Sequence, residues 1–195
     1  MSPGNSARSL ASSSTGTYIA LLRGINVGGR NKIAMADLST MFIDAGCSAV
    51  RTYIQSGNVV FAADPRLAAR IPDTVSAMIA ERLGIRSPIV LRGRAELVEV
   101  VKHNPFLKTG ADPAALHVAF LAEAPVRGRL AALDPDRSPG DSFAARGKDI
   151  YLHLPNGVAR TKLSNAYFDA ALGTTSTMRN WRTVLKLQEM AAESS

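Results

Sequence analysis

The densest polar stretch of the chain is Arg23-Gly24-Ile25-Asn26-Val27-Gly28-Gly29-Arg30-Asn31-Lys32. It carries three cations, no anion, and glycines that let backbone N–H groups come close to a ligand. That combination suits a phosphate or a carboxylate. The spacing Gly24-x4-Gly29 imitates a nucleotide-binding P-loop, but Arg30 and Asn31 stand where that loop needs Lys and Ser/Thr. No GxGxxG fingerprint is present. A second polar cluster, Gln55-Ser56-Gly57-Asn58, has the chemistry of a tight turn, with more donors and acceptors than turning requires. A third is C-terminal: Arg160-Thr161-Lys162-Leu163, and Arg179-Asn180 before Trp181. Lys162 and Arg179 are expected to open helices, where a cation opposes the macrodipole and a bound anion would relieve the conflict. The candidate ligand-binding set is Arg23, Asn26, Gly28, Gly29, Lys32, Gln55, Ser56, Asn58, Lys162, Arg179 and Asn180, with catalytic residues left open. The first two loops are expected to converge on one pocket. Each also has a plainer reading: a chain-reversing turn, a hairpin tip, solvated basic surface.

Other chemistry is thin. Cys47 has no histidine near it in sequence and reads as a bystander thiol. His103, His117 and His153 make no close-spaced metal motif, and the latter two fall in strand-like runs. No metal site, cofactor, carboxylate pair or nucleophile motif is evident.

These loops need elements to position them. The apolar run 18–22 suits a buried strand. Met35, Leu38, Met41, Phe42 and Ala45 recur at helical spacing, and 50–54 with 59–62 predict a hairpin. Leu67, Ile71, Val75, Met78 and Ile79 mark a second helix, which Pro72 is expected to break or to restart. A strand at 89–91 and a helix at 94–103 follow. The order is then echoed: strand 116–121, short helix 126–133, hairpin 143–154, a helix through Phe168 closed by Gly173, an extended piece at 174–178 and a last helix 181–192. Trp181 is expected as a core anchor. The fold class expected is α+β, with two related ferredoxin-like (βαββαβ-type) subdomains and mainly antiparallel sheets. The expected division is a disordered tail 1–16, an N-terminal subdomain 17–106, a linker 107–115 and a C-terminal subdomain 116–195.

Composition narrows the class. The 195 residues are 46% hydrophobic and 20% charged, which excludes a fibrous or wholly disordered chain. No apolar run is long enough to span a membrane. The Ser-rich start lacks the apolar region of a secretory signal. One cysteine permits no intrachain disulfide, so a cytoplasmic setting is expected. The net charge of +7 favours anionic partners at encounter.

Residues Tyr18 to Gly29 resemble the opening of the bacterial DUF1697 family, and Thr52 to Phe61 resemble its second signature. Asn104-Pro105-Phe106 and the stretch from Thr177 through Trp181, with Val184, Lys186 and Leu187, are similar to its later ones. The resemblance covers about residues 17–190. It implies an α+β fold with two related subdomains and no assigned biochemical function. It carries motif positions onto the residues above and onto Tyr53, Gly57 and Trp181; Thr161 stands where relatives usually have serine. The expected function is binding of an anionic partner, either a phosphate-bearing small molecule or nucleic acid. Few aromatic residues are left to stack on bases. The alternatives are an enzyme of unknown reaction on a phosphorylated or acyl substrate, and a scaffold whose polar motifs fix the interdomain joint. Oligomeric state is left open.

Overall fold

A computed structural model describes residues 15–126 and 128–193. Two four-stranded antiparallel sheets carry the fold. The first is built from β1 (Gly16–Leu22), β2 (Ser48–Tyr53), β3 (Asn58–Ala63) and β4 (Ile89–Gly93), in the order β2-β3-β1-β4. Helices α1 (Met35–Asp44) and α2 (Pro65–Leu83) connect them, and α3 (Arg94–Lys102) follows. The second sheet repeats the order as β6-β7-β5-β8, from β5 (Leu116–Leu121), β6 (Ser142–Arg146), β7 (Asp149–His153) and β8 (Ser176–Asn180). Helix α4 (Asn165–Leu172) precedes β8, and α5 (Trp181–Ala192) follows it. Both halves therefore have ferredoxin-like topology, each with a helix appended after its last strand. Among the described residues, no helix is long and apolar enough to cross a membrane.

The continuous apolar run in β1 has a physical cause, because both faces of its sheet are covered. Ala20 and Leu22 join Val59 and Phe61 under α1 and α2. Ile19 and Leu21 point the other way, into a cluster shared by both halves. Val118, Phe120 and Tyr151 of the second sheet enter that same cluster, together with Leu97 and Val100 of α3 and Trp181, Val184 and Leu187 of α5. The sheet faces turned away from α1, α2 and α4 thus meet across α3 and α5, which touch each other. Trp181 is buried there, as its spacing predicts. Deep in this layer the Tyr151 hydroxyl donates to Val100 O at 3.1 Å, and burial pushes its pKa up to about 12.

The sequence expectations need four corrections. Helix α2 runs unbroken through Pro72. Ala68, Ile71, Val75 and Ile79 form a wholly buried stripe on both sides of the proline, and their burial outweighs one missing backbone bond. Asp64 secures the start by accepting from the N–H of Arg66 and Leu67, and Gly84 ends the helix at φ 67°. The segment 126–133 forms only a 3-10 turn at Leu130–Ala132. Its apolar residues are spaced like a helix, but Val126 is exposed and Gly128 has φ 100°, and among the described residues the second half has no counterpart of α1. The tail expected over 1–16 is shortened at its end, since Gly16 opens β1; residues 1–14 lie outside the described residues. Finally, Lys162 and Arg179 do not open helices. Helix α4 begins at Asn165 behind the Ser164 cap, and Arg179 belongs to β8.

Candidate functional site

The glycine-rich loop after β1 is a small hairpin of its own. Val27 and Arg30 form an antiparallel bridge around Gly28 and Gly29, which have φ 57° and 77°. Positive φ at both central residues is what such a two-residue turn requires. Asn26 holds its base. The Asn26 amide Nδ2 donates to Ile33 O and to Gln55 O, both at 2.9 Å, and Oδ1 accepts from Ile33 N. The Gln55 bond joins this loop to the β2–β3 turn, 29 positions away. The two polar loops that the sequence singles out are therefore in contact.

That turn is tightly determined. Ile54 sits at φ 46°, an uncommon conformation for a β-branched residue. Gly57 has φ 73°, and a Cβ there would lie 2.7 Å from Leu22 Cβ. Asn58 is wholly buried, with Nδ2 donating to Ser56 Oγ at 2.9 Å and to Tyr53 O at 3.2 Å. Gln55 is exposed.

Arg179 of β8 reaches into the turn from the other half of the chain and is only 8% exposed. Its Nε donates to Asn58 Oδ1 at 2.5 Å. Its Nη2 donates to Leu22 O at 2.6 Å, and lies 3.2 Å from both Ser56 O and Gly57 O. Its Nη1 donates to Thr177 Oγ1 and to Met178 O. Burial lowers its pKa to about 10, so at neutral pH it stays a cation neutralised by carbonyl dipoles. Every N–H of this guanidinium is engaged, and none is left for an incoming anion.

Arg92 is a counterpart that no motif announces. It is the fourth residue of β4, as Arg179 is the fourth of β8. Arg179 holds Leu22, the last residue of β1, and Asn58, the first of β3. Arg92 holds Leu121, the last residue of β5, at 2.9 Å, and Asp149, the first of β7, at 2.9 Å. It also donates to Lys148 O at 2.8 Å. Each half thus sends one buried arginine into the other, at equivalent positions. Burial raises the Asp149 pKa, partly offset by the charge of Arg92. The recurring pattern Arg92-Gly93 then α3, and Arg179-Asn180 then α5, is the signal that would have found it.

Beside Arg179 lies a cleft of about 570 Å³ between the halves, lined from three distant stretches by Arg23, Gly24, Ile54, Ser56, Thr177 and Asn180, among others. Arg23 pairs with the carboxylate of Asp169 on α4 and reaches Ser176 O at 3.3 Å. Asp169 Oδ1 in turn accepts from Ser176 N and Ser176 Oγ, each at 2.7 Å. His117 and Thr183 also line the cleft. Burial lowers the His117 pKa, so it is neutral at pH 7. The exposed apolar side chains of Val27, Ile54 and Val158 stand in the lining as well.

Of the candidate residues, Arg23, Ser56, Arg179 and Asn180 meet in this cleft. Asn26 and Asn58 brace it from behind. Gly28 and Gly29 form the loop tip, while Lys32 and Lys162 are exposed and outside the lining. Asn180 caps α5, its Oδ1 accepting from Thr183 N at 2.8 Å. Sequence reasoning missed Asp169, Thr183 and the cleft role of His117. None lies in a dense polar run.

Comparison with known proteins agrees with this architecture. Residues 16–151 match the family model described as "Protein of unknown function (DUF1697)". No curated protein matches the chain. The chain is similar in structure to the conserved bacterial protein SP0830 from Streptococcus pneumoniae, with a TM-score of 0.69 at 22% identity, covering 91% of this chain and 99% of that one. At that identity the likeness is one of fold.

Proposed function

This chain belongs to the DUF1697 family, and we propose that it binds a small anionic molecule in the cleft between its two halves. The observation that carries the reading is the convergence of the β1 loop, the β2–β3 turn and the β8–α5 junction on one cavity of about 570 Å³. That volume is in the range of small-molecule sites. The motif residues divide into two groups. Arg179, Asn58 and Asn26 are engaged with partners inside the protein and hold the cleft together. Arg30 and Lys32, in the loop that contributes Gly24 and Val27 to the cleft, are exposed and have no carboxylate partner among the described residues. A hairpin carrying two exposed cations beside a cleft lined by Val27, Ile54 and Val158 suits an anionic guest with an apolar body. Nucleic acid is less favoured, because among the described residues no Phe, Tyr or Trp side chain lines the cavity to stack on a base.

The test is calorimetric titration of the full chain with a panel of nucleotides, sugar phosphates, short carboxylates and short DNA and RNA, at two ionic strengths. A saturable small-molecule partner is expected. The double variant Arg30→Ala/Lys32→Ala should weaken it, while Arg66→Ala/Arg70→Ala on exposed positions of α2 should not. Equal weakening in both pairs would mean non-specific attraction. No heat from any member of the panel at low salt would overturn the reading and leave the scaffold role that the buried Arg179 favours.

A further inference from the structure

We propose that Arg23 is the side chain that grips the anion in this cleft, and that the anion is the carboxylate of a small acid with an apolar body. The inference rests on the binding reading above and names both the group that takes the charge and the class of the ligand. Two arginines line the cleft, Arg23 and Arg179, and they stand in opposite states. Arg179 is buried with every donor engaged. The Arg23 side chain is 26% exposed, and its bonds to Asp169 and to Ser176 O both leave from Nη1. Its Nε and Nη2 have no acceptor among the described residues, and neither is shut away from solvent. Those two groups form one edge of the planar guanidinium, and their parallel N–H bonds match the two oxygens of a carboxylate.

That edge is held from behind. The N–H and the hydroxyl of the buried Ser176 both donate to Asp169 Oδ1 at 2.7 Å, while Oδ2 pairs with Arg23 Nη1. A long side chain is thereby tied near its tip before a ligand arrives, which lowers the ordering cost of binding one. Asp169 stands outside the lining and acts through Arg23, so it is a positioning residue. One turn earlier on the same face of α4, Asn165 enters the lining. Its Oδ1 lies 3.3 Å from Ser176 Oγ, and its Nδ2 has no acceptor among the described residues, which adds a further donor. The charges select a monoanion. Among the described residues the lining holds two guanidinium cations and no carboxylate, and Asp169 behind Arg23 returns one negative charge. The surplus of one positive charge suits a carboxylate better than a phosphate dianion set close to Asp169. Val27, Ile54 and Val158 supply the apolar wall, and a hydrocarbon body laid on them removes from water surface that the chain itself leaves exposed.

The test uses the full chain, isotope-labelled, titrated with sodium hexanoate and separately with inorganic phosphate, each against sodium chloride at matched ionic strength. Hexanoate should give saturable shifts of the Arg23 Nε–H resonance and of the Val27, Ile54 and Val158 methyl groups, and phosphate should bind about tenfold more weakly or less. Arg23→Met, checked for a native amide spectrum, should weaken hexanoate about tenfold or more, and Arg23→Lys, which keeps the charge without the paired edge, should recover only part of it. Asp169→Asn should broaden the Arg23 Nε–H resonance of the ligand-free protein as well as weaken hexanoate. Should Arg23→Met fail to fold, the wild-type resonance decides: an Arg23 Nε–H that does not move at saturation overturns the proposal. Undiminished affinity in a folded Arg23→Met, or phosphate bound as tightly as hexanoate, overturns it too. Shifts confined to Arg30 and Lys32, or no binding of hexanoate alongside binding of another member of the calorimetric panel, would overturn this assignment and leave the cleft reading standing. No binding by either probe or by the panel would overturn both.

Discussion

Replacing Arg179 by methionine keeps the length of the side chain and removes all its donors. Leu22 O, Ser56 O and Asn58 Oδ1 then lose a buried partner, whereas Gly57 O keeps the Leu22 N–H at 2.8 Å. Each orphaned acceptor costs about 1–1.5 kcal/mol, so the loss is about 3–5 kcal/mol. Two of these acceptors are backbone carbonyls, which no compensating substitution can delete. A chain of this size has a total stability of about 5–15 kcal/mol, so the variant should forfeit a large part of it. In urea melts followed by circular dichroism, the midpoint should fall by about 2 M, taking a slope of about 2 kcal/mol/M. Arg179→Lys, which keeps the charge with fewer and less spread donors, should fall between. Arg92→Met should cost a similar amount, since it strands Leu121 O and the Asp149 carboxylate. A loss below about 1 kcal/mol for Arg179→Met, with a native spectrum, would refute the idea that reciprocal arginines hold the halves together.

Three further outcomes are expected. Gly57→Ala should destabilise by about 2 kcal/mol or more, because φ is 73° and its Cβ would meet Leu22 and Ile25 below 3 Å, whereas Gly29→Ala at φ 77° meets nothing and should cost about 1 kcal/mol; chemical denaturation of both compares strain with strain plus collision. Because burial lowers the folded pKa of His117 below its ordinary 6.5, the unfolded chain binds more protons between the two values. Stability should be full above about pH 6.5 and decline as pH falls through that window, and His117→Asn should flatten this part of the profile in thermal melts. Burial pushes the Cys47 thiol up to about 11, so a thiol reagent at mildly alkaline pH should label the unfolded protein and spare the native one. Rapid stoichiometric labelling of the native protein would contradict that burial.

Patterns that depend on near neighbours were legible in the sequence. The run 18–22, the hairpin around Gly57 and the helical spacing from Met35 all produced the elements observed. Arg179 was noticed for its polar company but misread as a helix opener. Its meaning lies with Leu22, Ser56 and Asn58, more than a hundred positions away. Arg92 and Asp169 went unseen for the same reason, since each is an ordinary charged residue until the fold brings up its partner. Pro72 misled because local propensity was set against a buried stripe that only the packed helix displays. The segment 126–133 misled in the opposite direction: apolar spacing suggested a helix, but Leu130 and Leu133 reach the core from a 3-10 turn while Val126 stays exposed. Within the cleft, the loops were legible as polar density. Thr183 was not, because a lone threonine outside any polar run joins the cleft only through the fold.

Helix α5 is the last of the described elements, yet it packs on β1 and β3, near the start of the described residues. Arg51 on β2 also bonds to Met190 O and to Glu193 near the C-terminus. During synthesis, therefore, the opening sheet emerges with one apolar face covered only by α3. At about 5–20 residues per second, the roughly ninety residues between β4 and α5 take about 5–20 s to appear, and the twelve residues of α5 must then clear the ribosome before they can complete its cover. The nascent first half waits through that interval with Ile19, Leu21 and Val60 sheltered by α3 alone. Loss of α5 to a premature stop would leave that face incompletely covered, a substrate for chaperones and proteases, however well the first sheet had formed.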